Sequence, residues 1–184
     1  MSKSVNPFAV STHDLVRRPG VSRHLTTSVS APPDMGSDVI AVPAEAPIEL
    51  DLLLESVLEG VLVTGQVRAT ARGACVRCLD EIVEDLDVYV QELFAYPERA
   101  EAARQSGVER DEERVIVGET ADIEPMVRDA IVLALPFQPL CRKNCAGLCA
   151  TCGARLNDDP GHRHEVIDPR WSALAALADR VEES

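Results

Sequence analysis

Alternation of apolar and polar residues at every second position is the feature that most constrains the fold of this chain. In "IELDLLLESV" (48–57), Ile48 and the leucines at even positions fall on one face, with Glu49, Asp51 and Glu55 on the other. The stretches "VLVTGQVRATA" (61–71) and "EIVEDLDVYVQELF" (81–94) repeat this pattern. Because successive side chains of a strand point to opposite faces, each stretch is predicted to be a half-buried strand. The short joins between the three stretches favour an antiparallel meander.

Two helices are predicted to pack on this sheet. In "ADIEPMVRDAIVLAL" (121–135), Asp122 can cap the helix and Pro125 suits its first turn. Residues 168–181 carry an apolar stripe from Trp171 to Val181 at helical spacing. The sequence therefore predicts an α+β fold, an antiparallel sheet of about four or five strands packed by two helices.

The distribution of proline, glycine and charge predicts the domain organisation. Residues 1–37 contain these turn-forming residues without periodicity and are predicted to be an irregular, extended arm. Residues 38–184 are predicted to form a single α+β domain around one core. Within that domain, 97–114 is predicted to be a mobile charged insertion, and Gly65 is predicted to mark a β-bulge.

Six cysteines supply candidate metal ligands. Four of them follow a C-x3-C-x3-C-x2-C spacing in "CRKNCAGLCATCGARL" (141–156), and the C-x2-C step recurs upstream in "CVRC" (75–78), at the turn between the second and third predicted strands. Thiolates at such spacing bind Zn²⁺ tetrahedrally, and Gly153 allows the positive φ that a tight cysteine turn needs. The spacing predicts a Cys/His-rich zinc loop over 141–164 with the ligands Cys141, Cys145, Cys149 and Cys152.

Other uses of these thiols remain open. A zinc site can instead draw on Cys75 and Cys78, or take His162 or His164 in place of a thiolate, and a chain without metal is a third possibility. Because four protein ligands leave no open coordination position, the zinc is predicted to be structural. The chain has no H-E-x-x-H, G-x-S-x-G or Walker A motif, and no enzyme activity is expected. An RNA-processing hydrolase and a thiol-redox enzyme are the catalytic alternatives.

The charge of the chain favours a basic partner. The net charge is −13, and residues 80–130 hold 16 acidic against 5 basic residues. Such a field repels polyphosphate and attracts basic proteins. The absence of a signal-like start or a long apolar run predicts a cytoplasmic protein with no membrane contact. Local basic points can still touch RNA; the candidates are Arg17, Arg18, Arg77, Arg142, Lys143 and Arg155.

Several segments together resemble the YceD family, factors needed for large-subunit ribosomal RNA to accumulate. They are "GACVRCLDEI" (73–82), "DAIVLALPFQPLC" (129–141), "CAGLCATCGARLND" (145–158) and "DPRWSALAAL" (168–177). The segments "RRPG" (17–20), "APIELDLLLESVLEGVLVTGQVRA" (46–69) and "DDPGHRH" (158–164) resemble the actinobacterial branch of the family, with its second cysteine cluster.

The resemblance implies a cytoplasmic, non-catalytic role in the synthesis, processing or stability of large-subunit ribosomal RNA during ribosome assembly. The implied partner is the pre-ribosomal large subunit, contacted through a basic ribosomal protein, a local ribosomal RNA segment or both, with no small-molecule substrate. Some members end the second cluster with C-x-C, where this chain has His162-x-His164. The competing prediction from another class is a zinc-braced protein-interaction module unrelated to ribosomes.

Overall fold

A computed structural model describes residues 6–15, 18–105 and 114–164 of the chain. The chain divides into two compact units, Met1–Cys141 and Arg142–Ser184. The strands and helices of the described residues all lie in the first unit. They are β1 (Ala9–Ser11), β2 (Ser22–Ser30), β3 (Met35–Gly36), β4 (Ile40–Val42), β5 (Pro47–Ser56), β6 (Gly60–Ala74), β7 (Glu81–Ala95), α1 (Pro97–Gln105), β8 (Arg114–Val115), β9 (Thr120–Asp122) and α2 (Glu124–Ala134).

The predicted meander forms the centre of the sheet. β5, β6 and β7 pair antiparallel in chain order, and β6 pairs with β7 along its whole length, from Gly60 opposite Ala95 to Ala74 opposite Glu81. The even-numbered side chains of β5 from Ile48 to Leu54 are all buried, at 0–1% exposure. Burying a side chain of this size stabilises the fold by about 1.5–3 kcal/mol. The α+β fold with an antiparallel sheet is confirmed.

Gly65 does not mark a bulge. It pairs with Leu52 on one side and with Val90 on the other, and neither register shifts there. Its φ is 148°, and a Cβ at this position would overlap the carbonyl oxygen of Asp51 and lie 2.8 Å from the Cα of Leu52. The glycine therefore allows the backbones of β5 and β6 to approach more closely than any side chain would permit.

The N-terminal arm is more regular than the sequence predicts. β2 extends the sheet by pairing with β5 along its length, from Ser22 opposite Glu55 to Ser30 opposite Pro47, and β1 pairs with β9. Only Val29 of β2 is buried. A strand with a single buried side chain shows little alternation of apolar and polar residues. Its hydrogen bonds to β5 therefore define β2, and the sequence period does not reveal it.

The helix prediction over 121–135 corresponds to α2. The predicted cap is wrong: Ile123 is the N-cap and has no side-chain cap bond, because Asp122 still belongs to β9, where it pairs with Ala9. Asp122 Oδ1 accepts a hydrogen bond from the N–H of Glu124 at 3.1 Å. The buried residues of α2 are Met126, Val127 and Ile131. The charged stretch 97–114, which was predicted to be a mobile insertion, begins with the helix α1 and ends at β8, which pairs parallel with β7. The second predicted helix, 168–181, lies outside the described residues. Within the described part, the helices of 9 and 11 residues are too short to cross a membrane.

Candidate metal-binding sites

Cys75 and Cys78 lie in the turn that joins β6 to β7, where the sequence placed them. The N–H of Cys75 donates to the carbonyl of Asp80 at 2.8 Å, and the N–H of Leu79 donates back to the carbonyl of Cys75 at 2.9 Å. Leu79, directly after the second cysteine, has a φ of 62°. These two bonds close the turn tightly, and both cysteines are buried at 0–2% exposure.

Cys141 joins this pair from the chain that follows α2. The N–H of Val76 donates to the carbonyl of Pro139 at 3.0 Å, which holds the two segments together. The sulfur atoms of Cys75, Cys78 and Cys141 all lie within 4.8 Å of one another, with 3.5 Å between those of Cys78 and Cys141. Cys141 lies 63 residues after Cys78 in the chain, and none of the six cysteines forms a disulfide.

Hydrogen bonds to sulfur favour a thiolate in this thiol group. Burial raises the pKa of Cys75, but backbone N–H groups of Cys141, Arg77 and Cys78 donate to its sulfur and bring the pKa down to about 6. At Cys78 the backbone N–H of Asp80 lowers the pKa, while burial and the neighbouring thiols raise it, and the net direction is upward. The two thiols titrate as a coupled pair, so loss of a proton from one disfavours its loss from the other.

Cys149 and Cys152, in the second unit, form a turn with the same hydrogen bonds. The N–H of Cys149 donates to the carbonyl of Ala154 at 2.8 Å, and the N–H of Gly153 donates to the carbonyl of Cys149 at 2.8 Å. Gly153, directly after the second cysteine, has a φ of 73°, as predicted. The N–H groups of Cys152 and Thr151 donate to Cys149 Sγ and lower its pKa to about 6. The two C-x2-C turns of the chain, which we call the first and second knuckles, therefore share one backbone pattern.

His162 and His164 lie beside the second knuckle. Their Nε2 atoms are 3.2 and 3.1 Å from Cys152 Sγ and 2.8 Å from each other. The donor atoms of Cys149, Cys152 and both histidines all lie within 4.8 Å of one another. The opposite ring nitrogen of His162, Nδ1, faces Asp159 Oδ2 at 3.8 Å. This orientation leaves Nε2 directed towards the thiols.

The four cysteines of 141–152 are therefore divided in space. Cys141 lies with the first knuckle, whereas Cys149 and Cys152 lie with the two histidines. Cys145 belongs to the second unit and is buried, and its sulfur accepts a hydrogen bond from Asn157 Nδ2 at 3.2 Å. The other end of the Asn157 amide accepts the N–H of Ala146 at 2.8 Å. Sequence reasoning missed Asn157, because no spacing rule links an asparagine to a cysteine twelve residues away.

Both groups have the composition and spacing of metal sites. Zinc–sulfur bonds of about 2.3 Å at tetrahedral angles place two sulfurs about 3.8 Å apart, and zinc–nitrogen bonds of about 2.0–2.1 Å place two nitrogens about 3.4 Å apart. The sulfur separation of 3.5 Å in the thiol group is about 0.3 Å shorter than the zinc value, and the nitrogen separation of 2.8 Å between the histidines is about 0.6 Å shorter. An ion in either group would therefore require its ligands to move slightly apart, more so between the histidines.

The basic residues predicted to contact RNA occupy scattered exposed positions. Arg77 lies at the tip of the first knuckle, Arg18 precedes β2, and Arg142, Lys143 and Arg155 lie in the second unit. Arg17 is outside the described residues. A contact of these side chains with RNA stays a prediction.

Comparison with known proteins gives three relationships. The family model described as large ribosomal RNA subunit accumulation protein YceD matches residues 63–178, which include both knuckles and both histidines. An uncharacterised protein of Mycobacterium tuberculosis is 45% identical over 172 residues, covering 94% of this chain and 82% of that protein. An uncharacterised protein of Mycobacterium leprae is 40% identical over 173 residues, covering 94% and 78%.

A shorter match connects the chain to a plant protein whose name states a role. The large ribosomal RNA subunit accumulation protein YCED homolog 1, chloroplastic, of Zea mays is 50% identical over 36 residues, which cover 20% of this chain and 12% of the maize protein. No solved structure matches the chain.

Proposed function

Because the chain belongs to the YceD family of large ribosomal RNA subunit accumulation proteins, we propose that it supports the accumulation of large-subunit ribosomal RNA by binding pre-ribosomal components, without catalysis. The match of the family model over residues 63–178 is the observation that carries this proposal. The description of the family and the name of the maize protein both refer to the accumulation of an RNA and not to a reaction, which is consistent with a binding role.

The thiol group supports a bracing role for a metal ion. Cys75, Cys78 and Cys141 of the first unit supply three thiolates, two of them from buried cysteines. Sulfur ligands select zinc over magnesium or calcium. Such an ion would hold the β6–β7 turn against the chain after α2.

The solvent face of the sheet supports a basic partner. On β5, β6 and β7, the alternate side chains that point away from the core include six carboxylates and two guanidiniums, a net charge of −4. These residues are Glu49, Asp51, Glu55, Arg68, Arg72, Glu81, Asp85 and Asp87. We call this surface the acidic face.

Internal pairing on the acidic face neutralises both arginines. Arg68 Nε lies 3.3 Å from Asp87, and Arg72 lies 3.0 Å from Glu81. After these two pairs, four carboxylates still carry negative charge on this face: Glu49, Asp51, Glu55 and Asp85. The field of this face therefore repels phosphate and attracts basic side chains. A basic ribosomal protein, or another basic assembly factor, is the proposed partner at this face.

Measurement of ribosomal RNA in cells depleted of the protein tests the function. The ratio of large-subunit to small-subunit ribosomal RNA is expected to fall on depletion and to recover when the wild-type chain is expressed again. An unchanged ratio would show that this chain does not share the role for which its family is named. Purified protein incubated with precursor large-subunit ribosomal RNA and Mg²⁺ is expected to leave it intact; cleavage would contradict the non-catalytic part.

Affinity purification of two charge variants tests the partner. The variant E49Q/D51N/D85N removes three charges from the acidic face, and the control E45Q/E59Q/E101Q removes three exposed charges elsewhere. The face variant is expected to retain about tenfold less basic ribosomal protein, in extracts treated with ribonuclease, than the control. Equal retention by both variants would exclude the acidic face as the contact.

A further inference from the structure

The described part of the second unit contains little that could hold it together by burial. Among residues 142–164, only Cys145 and Gly147 are buried, while Leu148 and Leu156 are half-buried. Segments of this size rarely build a sufficient apolar core, and they usually require a metal or a disulfide instead. The cysteines of this segment form no disulfide.

Four potential ligand atoms nevertheless converge in this segment. Cys149 and His162 are half-buried, Cys152 and His164 are exposed, and their donor atoms lie within 4.8 Å of one another. Exposed imidazole and thiol groups gain little from approaching one another, because water can satisfy each of them separately. A cation at the centre of the group would explain why all four side chains turn inward.

The second knuckle provides an independent observation. Its backbone repeats the two hydrogen bonds and the left-handed residue of the first knuckle, although the two turns share no residue other than the cysteines at corresponding positions. Amide N–H groups of Thr151 and Cys152 point at Cys149 Sγ, which is the arrangement that stabilises a metal-bound thiolate.

We propose that Cys149, Cys152, His162 and His164 bind a second Zn²⁺ ion, separate from the ion of the thiol group, so that each chain holds two. Two sulfurs and two imidazole nitrogens in a tetrahedral arrangement select zinc over magnesium or calcium, which require oxygen ligands. The four ligands close the coordination sphere, so this ion shapes the loop 149–164 and performs no chemistry. The proposal does not rest on the ribosomal role.

The two ions are expected to differ in their exchange with solvent. The proposed second site has two exposed ligands, Cys152 and His164, whereas in the thiol group only Cys141 is exposed and both cysteines of the first knuckle are buried. A chelator can approach an exposed ligand directly. The ion of the proposed second site is therefore expected to leave at a lower chelator concentration than the ion of the thiol group.

Measurement of the metal content of the purified full-length chain tests this proposal. After dialysis against a weak chelator, the wild type is expected to retain two zinc ions, and the double variant H162N/H164N is expected to retain one. The control H24N changes a histidine of the first unit that pairs with Asp51, and it is expected to retain two. A wild type with one ion, or a double variant with two, would overturn the proposal.

Cobalt titration of the wild type provides a readout that does not depend on the folding of the histidine variant. Wild-type apoprotein titrated with Co²⁺ is expected to saturate at two equivalents, with the absorption of tetrahedral cobalt and charge-transfer bands from both sulfur-rich and mixed sulfur–nitrogen sites. In C78S only the mixed-site bands are expected to remain. Saturation at one equivalent in the wild type would contradict a second site, whatever the outcome of the ribosomal RNA measurements.

Discussion

Replacement of Gly65 by alanine tests whether close backbone approach organises the sheet. The added Cβ would overlap the carbonyl oxygen of Asp51 and lie 2.8 Å from the Cα of Leu52, so β5 has to move away from β6. Overpacking of this kind costs about 1–3 kcal/mol, and an alanine held in a conformation reserved for glycine costs about 1–3 kcal/mol more. We expect G65A to lower the free energy of unfolding by about 4 kcal/mol.

Gly118 offers a matched control for the steric part of this cost. Its φ is 53°, also in the left-handed region, but a Cβ there would have no atom within 4 Å. G118A is expected to cost about 1 kcal/mol, from backbone conformation alone. For a chain of this length, these values correspond to melting temperatures lowered by about 8–16 °C for G65A and about 2–4 °C for G118A.

Circular dichroism during urea and thermal unfolding, with zinc kept saturating, measures both variants against the wild type. Equal losses in G65A and G118A would show that backbone conformation alone matters and that the approach of β5 to β6 is not tightly constrained. A G65A variant as stable as the wild type would refute the reasoning altogether.

Three further changes test local features. L79G relieves a non-glycine residue with a φ of 62° that is 68% exposed, so it is expected to stabilise the chain by about 1 kcal/mol in urea unfolding; a loss of stability would show that the leucine side chain packs. Y96F removes the buried hydroxyl that lies 3.2 Å from Ser56 Oγ, and it is expected to lower the free energy of unfolding by about 1–2 kcal/mol in the same assay. An unchanged free energy of unfolding would show that water replaces the lost partner. His13 Nδ1 lies 2.9 Å from Glu119, and the hydrogen bond to this carboxylate raises the histidine pKa above 6.5, so the pair stabilises the fold below pH 6.5 and loses this effect as the pH rises through the raised pKa. NMR titration is expected to give the ordinary histidine pKa in E119Q, and an identical pKa in both proteins would exclude the contact.

The parts of the fold that follow local rules were predictable. Alternation from Ile48 to Phe94 located β5, β6 and β7, because one buried face imposes a period of two on each strand. The proline and the apolar spacing of 121–135 located α2 for a similarly local reason. β2 was not predictable, because its position depends on hydrogen bonds to β5 and only one of its side chains is buried.

The candidate metal sites were likewise predictable only in their local parts. Both C-x2-C turns were visible in the sequence, since a cysteine pair, an intervening dipeptide and a residue of positive φ form within one short segment. The other potential ligands that lie beside each cysteine pair were not visible in the sequence. The spacing of 141–152 favoured one site from four neighbouring cysteines, and the choice among Cys141, Cys145 and the histidines stayed open.

Local sequence patterns specified the elements that a few adjacent residues define: three alternating strands, one helix, two cysteine turns and an excess of acid. Tertiary structure alone decided which of them meet. Cys141 reaches Cys78 only because β6 and β7 present their turn to the chain that leaves α2, where Val76 bonds to Pro139. The six carboxylates of the acidic face share one surface only because two registers align their strands. Distant residues come together through the summed packing of the whole core, and no local pattern encodes that sum.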